Sequence, residues 1–181
     1  MTVATSEYGV VLESGAVRFE RLLPGPIERV WAYLTESEKR ATWFAGGDFD
    51  LREGGERRLL FKHSLITKEP PPEKYRQMSE EGCLSLGTIT RCEPPYAIAF
   101  TWGEGASEVT FELSAHDDKV MLVLTHRRLT DRTEMTNVSG GWHLHLDLLE
   151  DQLTGRPPSA FWSRHEALEA EYAERQSGAA L

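Results

Sequence analysis

Three features of the 181-residue sequence predict an α+β fold. Alternating, strand-like segments follow one another over most of the chain. The regular strand–helix alternation that builds a parallel sheet does not occur. A long amphipathic helix comes only after the last strand segment.

Residues 10–23 contain the first extended segment, where Val17 and Phe19 alternate with Arg18 and Glu20. Leu23-Pro24-Gly25-Pro26 breaks it, and Pro26 suits a first helical position ahead of Ile27, Val30, Trp31 and Leu34 at helical spacing. Thr35, with Glu38 three residues on, predicts the N-cap of a second short helix, which runs out at Trp43-Phe44-Ala45-Gly46-Gly47. Residues 48–51 and 56–63 flank Glu53-Gly54-Gly55 and read as a hairpin. Segments 83–91, 96–102, 107–115 and 119–126 are joined by Pro-, Gly- and Asp-rich turns and form an antiparallel meander.

Residues 64–81, with Pro70-Pro71-Pro72, are a long charged insertion in that meander, the kind of loop that is either functional or mobile. A helix starts near Glu134, and its Trp142, Leu146, Leu149 and Leu153 form one apolar stripe ended by Gly155-Arg156-Pro157-Pro158. The Ser139-Gly140-Gly141 stretch within it lets the helix approach the sheet closely and lacks the strand that leads into a nucleophile elbow. A last helix over 160–175 carries Phe161, Leu168 and Tyr172 as a narrow stripe that needs a surface to cover, either this chain or a second copy in a homodimer. The tail after Gln176 is expected to fray. Residues 10–155 are thus expected to form one domain and 156–181 a C-terminal helical extension and tail.

With 20 basic against 29 acidic residues, the net charge of −9 argues against duplex nucleic acid and anionic lipid surfaces as partners. Cys83 and Cys92 are too few for a disulfide scaffold and wrongly spaced for a zinc ribbon. The first residues, Met-Thr-Val-Ala-Thr-Ser-Glu-Tyr, lack a basic and an apolar region of signal-peptide type. No apolar run approaches the ~20 residues that span a bilayer, so no membrane insertion and a cytoplasmic location are expected.

A helix laid across a curved sheet encloses space that suits a mostly apolar ligand pocket. Strand alternation turns Ile98, Phe100 and Trp102 to one face, and Val109, Phe111 and Leu113 likewise. In the last strand both faces are apolar. Leu122, Leu124 and His126 are placed inward because this sets the polar member at the strand end, where a cavity mouth would lie. The expected ligand-lining set is Trp43, Phe44, Phe61, Phe100, Trp102, Phe111, Leu122, Leu124, His126, Trp142, Leu146 and Leu149, each of which could equally fill a core.

Five segments, in order and spacing, resemble the START-like SRPBCC superfamily in its branch homologous to the activator of the heat-shock-protein-90 ATPase. They are Pro26-Ile27-Glu28-Arg29-Val30-Trp31-Ala32-Tyr33-Leu34-Thr35, Gly54-Gly55, Glu93-Pro94-Pro95, Phe100-Thr101-Trp102 and Gly141-Trp142-His143-Leu144-His145-Leu146. The resemblance implies a helix-grip fold, with an antiparallel sheet of about seven strands wrapped around the long C-terminal helix and an internal hydrophobic cavity. The insertion at 64–81 and the helix after Pro158 depart from that pattern. The superfamily includes lipid carriers, polyketide cyclases, resistance proteins and co-chaperone domains, so the fold alone assigns no activity.

Chemically, the sequence supplies no convincing catalytic set. His143 and His145 stand about 200° apart around a helix and cannot share a metal, and His143 is expected to face solvent, so neither a metal nor a cofactor is expected. His126 is the one candidate for a general base, with Cys83 or Thr88 as strand neighbours. Three readings follow. The first is a stress-related protein that binds a small hydrophobic or aromatic ligand such as a lipid or polyketide. The second is a cyclase- or hydrolase-like enzyme using His126 in the same cavity. The third, implied by the resemblance, is a co-chaperone-like interaction module with a heat-shock ATPase as partner.

Overall fold

The computed structural model describes residues 6–178, so the expectations for the first five residues and for the end of the tail lie outside it. The alternating segments form a seven-stranded antiparallel sheet: β1 (Val10–Leu12), β2 (Ala16–Pro24), β3 (Glu56–Phe61), β4 (Cys83–Glu93), β5 (Ala97–Trp102), β6 (Ser107–His116) and β7 (Lys119–Arg127). The strand order is β1-β2-β7-β6-β5-β4-β3, in which the first hairpin returns to pair with the last strand. Two short helices, α1 (Ile27–Thr35) and α2 (Ser37–Arg40), follow β2. The insertion carries α3 (Arg76–Glu81), and α4 (Arg132–Thr154) and α5 (Trp162–Gln176) complete the chain. This is the curved sheet around a long helix that the sequence predicts.

The strand count of seven is reached by a different route from the one expected. Residues 10–23 are not one strand: Gly15, at φ +73°, closes a turn whose N–H donates to the Leu12 carbonyl oxygen, and the segment splits into β1 and β2. Residues 48–51 are not a ladder strand and form a single isolated bridge with β3, Phe49 to Arg57, with a second from the preceding Gly46 to Leu60. The buried Arg40 explains the irregular path. Its guanidinium donates to the carbonyl oxygens of Thr35, Ala45 and Gly47 and lies 3.8 Å from the centre of the Phe49 ring. Thr35 does not cap α2. It ends α1, where its hydroxyl donates to the Trp31 carbonyl oxygen, and Glu36 takes the cap position without a side-chain bond.

The concave face holds the core. Cross-strand rows place Ile98, Phe111 and Leu124 in line, and beside them Phe100, Val109, His126 and Val17. All seven are buried. Asp131 caps α4 by accepting from the Glu134 N–H, and Gly155 ends it at φ +70°. The stripe of Trp142, Leu146, Leu149 and Leu153 is buried as expected, but so are Leu144 and Leu148 on the other side. The reason is α5, which packs on α4 and buries Phe161, Leu168 and Tyr172. Gly140 lies against α5, where a Cβ would stand 3.6 Å from the Glu169 backbone nitrogen, an ordinary van der Waals contact. Gly140 therefore faces α5 and not the sheet, while Gly141 meets neither.

The insertion is folded, with short 3-10 turns at His63–Leu65 and Glu73–Tyr75 before α3. It also supplies what α5 lacks. Phe161, at the N-cap position, makes no side-chain cap bond. Instead Glu69 reaches across from the insertion and accepts from the Trp162 N–H at 2.6 Å, the Ser163 N–H at 3.3 Å and the Ser163 hydroxyl at 2.9 Å. A carboxylate at a helix N-terminus satisfies orphan donors and meets the positive end of the helix dipole. Desolvation opposes the charge, but these hydrogen bonds outweigh it and hold the Glu69 carboxyl below its ordinary range. Tyr75 stacks on Trp162 at 5.2 Å, so the insertion and the last helix lock together.

Candidate functional site: an aromatic pocket beside the long helix

Where the insertion and the start of α5 meet α4 and the β3–β5 end of the sheet, they enclose a pocket of about 530 Å3. Such a volume lies within the ~300–1,000 Å3 range of small-molecule sites. Phe44 forms part of its wall, 4.9 Å from Trp142, 5.3 Å from Phe61 and 6.1 Å from Trp102 between ring centroids. The opposite wall consists of His63, Tyr75, Phe161, Trp162 and His165, and Cys83, Gly103 and Asn137 form an exposed rim. None of the lining residues is Asp, Glu, Lys or Arg. Burial pushes the pKa of His63 and of His145 down to about 4, and burial also lowers that of His165. The lining is thus uncharged at neutral pH.

Of the twelve side chains expected to line a ligand site, the structure brings Phe44, Phe61, Trp102 and Trp142 together at this pocket. Trp43, Phe100, Phe111, Leu122, Leu124, His126, Leu146 and Leu149 are buried in the packed core and do not line it. Alternation identifies the inward face but not where that face is left unfilled. The residues missed by sequence reasoning, chiefly His63, Tyr75, Phe161 and Trp162, come from the end of the 56–63 segment, the insertion and the start of the last helix. Their one legible signal is aromatic residues set in otherwise charged segments.

His126 does not sit at a cavity mouth. It is fully buried, with Nδ1 3.1 Å from Trp142 Nε1 and Nε2 2.9 Å from the Ser107 hydroxyl. An indole N–H only donates, so Nδ1 is the acceptor and, in the neutral ring, Nε2–H donates to Ser107. Burial pushes the pKa to about 4, which keeps the ring neutral. A base that activates a serine must accept at that nitrogen, and this pair has the reverse arrangement. The partner is Ser107, neither Cys83 nor Thr88.

His143 is buried rather than solvent-facing, because α5 covers it and its Nδ1 lies 2.9 Å from the Tyr172 hydroxyl. His145 donates from Nδ1 to the Trp43 carbonyl oxygen at 2.7 Å, so the two rings serve different neighbours. Among the described residues no group of three or more His, Cys, Asp and Glu side chains is placed to hold a metal. A second concavity of about 550 Å3, bounded by Glu7, Glu20, Arg21, Asp147, Glu150, Asp151 and Arg156, is charged and crossed by the Arg21–Asp147 and Arg156–Glu150 ion pairs. Its polarity disfavours an apolar ligand.

Gly141 stands at the pocket wall, and a Cβ there would meet no atom within 4 Å. Glycine costs roughly 0.5–1 kcal/mol relative to alanine inside a helix. Gly141→Ala is therefore expected to raise stability by about that amount, read as a higher denaturation midpoint. A lower midpoint would show that the site is already filled.

A curved sheet gripping one long helix, with a pocket beside that helix, defines a small-molecule-binding architecture of the SRPBCC superfamily. Within it, the profile of the activator of Hsp90 ATPase homolog 1-like protein family matches residues 24–154, and the chain belongs to that family. It is similar to the solution structure of protein BPP1335 from Bordetella parapertussis, with 45% identity, a TM-score of 0.80, and coverage of 97% of this chain and 95% of that one. The crystal structure of CalU16 from Micromonospora echinospora shares 26% identity at a TM-score of 0.62, covering 88% and 86%. A conserved protein of unknown function from Enterococcus faecalis, EF2215, shares the fold at 17% identity and a TM-score of 0.65, covering 92% and 86%. No curated protein matches the chain. No helix among the described residues is long and apolar enough to cross a membrane.

Proposed function

We propose that this protein binds a small hydrophobic or aromatic molecule in the pocket between α4, the β3–β5 end of the sheet, the insertion and the start of α5. The observation that carries this reading is the lining itself: about 530 Å3 walled by Phe44, Phe61, Trp102, Trp142, Phe161 and Trp162, with no charged side chain. Aromatic walls offer large apolar area to a flat ligand at little entropic cost. Binding, and not reaction, is the reading favoured, because the buried Ser107–His126 pair is set in the wrong tautomer to generate a nucleophile.

Three of the five tryptophans line the pocket, so a bound fluorophore that absorbs near 340 nm receives their emission. Titration with the uncharged probe N-phenyl-1-naphthylamine should give saturable energy transfer at one site per chain. Mass spectrometry of small molecules released from the freshly purified protein should then identify natural occupants that displace the probe. Linear, non-saturating transfer would contradict the reading.

A further inference from the structure

The polar atoms of the pocket are unevenly placed. At the end where the His63–Leu65 turn meets α5, Trp162 Nε1 and His63 Nδ1 are buried, and neither has a hydrogen-bond partner among the described residues. Their rings both line the pocket, with centroids 5.0 Å apart in an edge-to-face arrangement. Native proteins pair nearly every buried N–H, since an unpaired donor has lost its water without compensation. An indole N–H can only donate, so what is missing beside Trp162 is an acceptor. The stacking of Tyr75 on one face of Trp162 and the edge contacts of Phe161 and His63 fix the indole ring and its N–H.

The charge of the missing group follows from the rest of the wall. Neither Lys nor Arg lines the pocket, and the three histidines there are neutral. A carboxylate or phosphate would surrender its hydration with no cation to replace it. A carbonyl oxygen accepts from the indole at far lower desolvation cost, and the flat aromatic walls favour a ring system over an alkyl chain as the body that carries it.

We propose that the pocket is specific for an uncharged planar aromatic ligand bearing a carbonyl, whose oxygen accepts from Trp162 Nε1–H beside the His63 ring. This rests on the ligand-binding reading above. The two polar atoms are shut off from solvent, and with the indole held in place the carbonyl reaches Trp162 Nε1 through rotation of a neighbouring pocket side chain, a change that commonly accompanies binding.

Three matched probes separate the possibilities: 2-ethylnaphthalene, 2-acetylnaphthalene and 2-naphthoate, titrated into 15N-labelled protein at neutral pH. The first two should occupy the same site, with the acetyl compound about tenfold tighter because only it satisfies the buried donor. The Trp162 indole N–H signal, assigned by its loss in Trp162→Phe, should move downfield with the acetyl compound and not with the ethyl one. 2-Naphthoate should bind weakest. In Trp162→Phe the acetyl preference should fall to within about twofold, and if that variant does not fold, the wild-type indole shift decides. Equal affinity for the ethyl and acetyl compounds with an unmoved indole signal overturns this inference and leaves the pocket reading standing. Tightest binding of 2-naphthoate overturns the uncharged class. No binding of any probe overturns the pocket reading itself, and this inference with it.

Discussion

Ending the chain after Gly155 should lower the melting temperature by roughly 10 °C at every protein concentration and abolish ligand binding. The removed segment buries Phe161, Trp162, Leu168 and Tyr172, each at most 6% exposed. Truncating one large buried side chain typically costs about 3–5 kcal/mol, and a loss near 4 kcal/mol corresponds to about 8–16 °C for a chain of this size. The cut also uncovers Leu144 and Leu148, removes the partners of Glu69, and takes away the pocket wall formed by Phe161, Trp162 and His165. Calorimetry over a range of concentrations checks this. An unchanged melting temperature would make α5 a passenger. A change confined to low concentration, with a change of mass in solution, would mean that a second copy of the chain covers the helix.

The second large effect is acid unfolding well above the usual carboxylate range. His63, His126, His143 and His145 are each pushed down to about 4, in every case chiefly by burial. In the unfolded chain they titrate near 6.5. Their folded pKa lies below the unfolded value, so their contribution is fully present above about pH 6.5 and is lost as pH falls toward 4. Asp147 acts in the opposite sense: burial raises its pKa to about 6, so below that pH the native state takes up a proton that the unfolded state declines. Four protons against one leaves a net three bound by the unfolded chain near pH 5. At about 1.4 kcal/mol per proton per pH unit, the slope there is on the order of 4 kcal/mol per unit. A domain with a stability of about 5–8 kcal/mol at neutral pH should therefore unfold between roughly pH 5.5 and 4.5. Circular dichroism against pH measures this directly. A native spectrum retained to pH 4, or histidine ring signals that titrate near 6.5 in the folded protein, would contradict it.

The sheet and the long helix were legible because each depends on a local rule. Period-two alternation set the inward faces of β5 and β6 correctly, and Ile98, Phe100, Val109 and Phe111 are buried as read. Placing Leu122, Leu124 and His126 inward also held, although the opposite face of β7 is nearly as apolar. What failed were features set by distant partners. His143 looked exposed because nothing local announces that Tyr172, twenty-nine residues away, covers it. Thr35 and Glu38 fit a capping pattern, but Arg40 draws the following carbonyl groups to itself and fixes the local path. Residues 48–51 lost their strand for the same reason.

The site was legible only in part. Phe44, Phe61, Trp102 and Trp142 were chosen as inward aromatics and do meet at the pocket. Nothing in their spacing separates them from Phe100 or Phe111, which fill the core instead. The unfilled space is decided by the insertion and α5, whose mutual contacts through Glu69, Tyr75 and Trp162 span nearly a hundred residues of sequence. These are the two parts that the sequence set apart from the superfamily pattern, and the first lies within the family match at residues 24–154.

The most direct test of the pocket as the ligand site is a calorimetric titration of N-phenyl-1-naphthylamine into the wild-type protein and into Gly141→Leu. The leucine side chain would project from α4 into space that is open around the glycine, without meeting other atoms near its Cβ. Binding at one site per chain in the wild type, and at least tenfold weaker binding in a Gly141→Leu protein that melts no lower, is the predicted result. Equal affinity in the two proteins would place the ligand elsewhere and contradict the account.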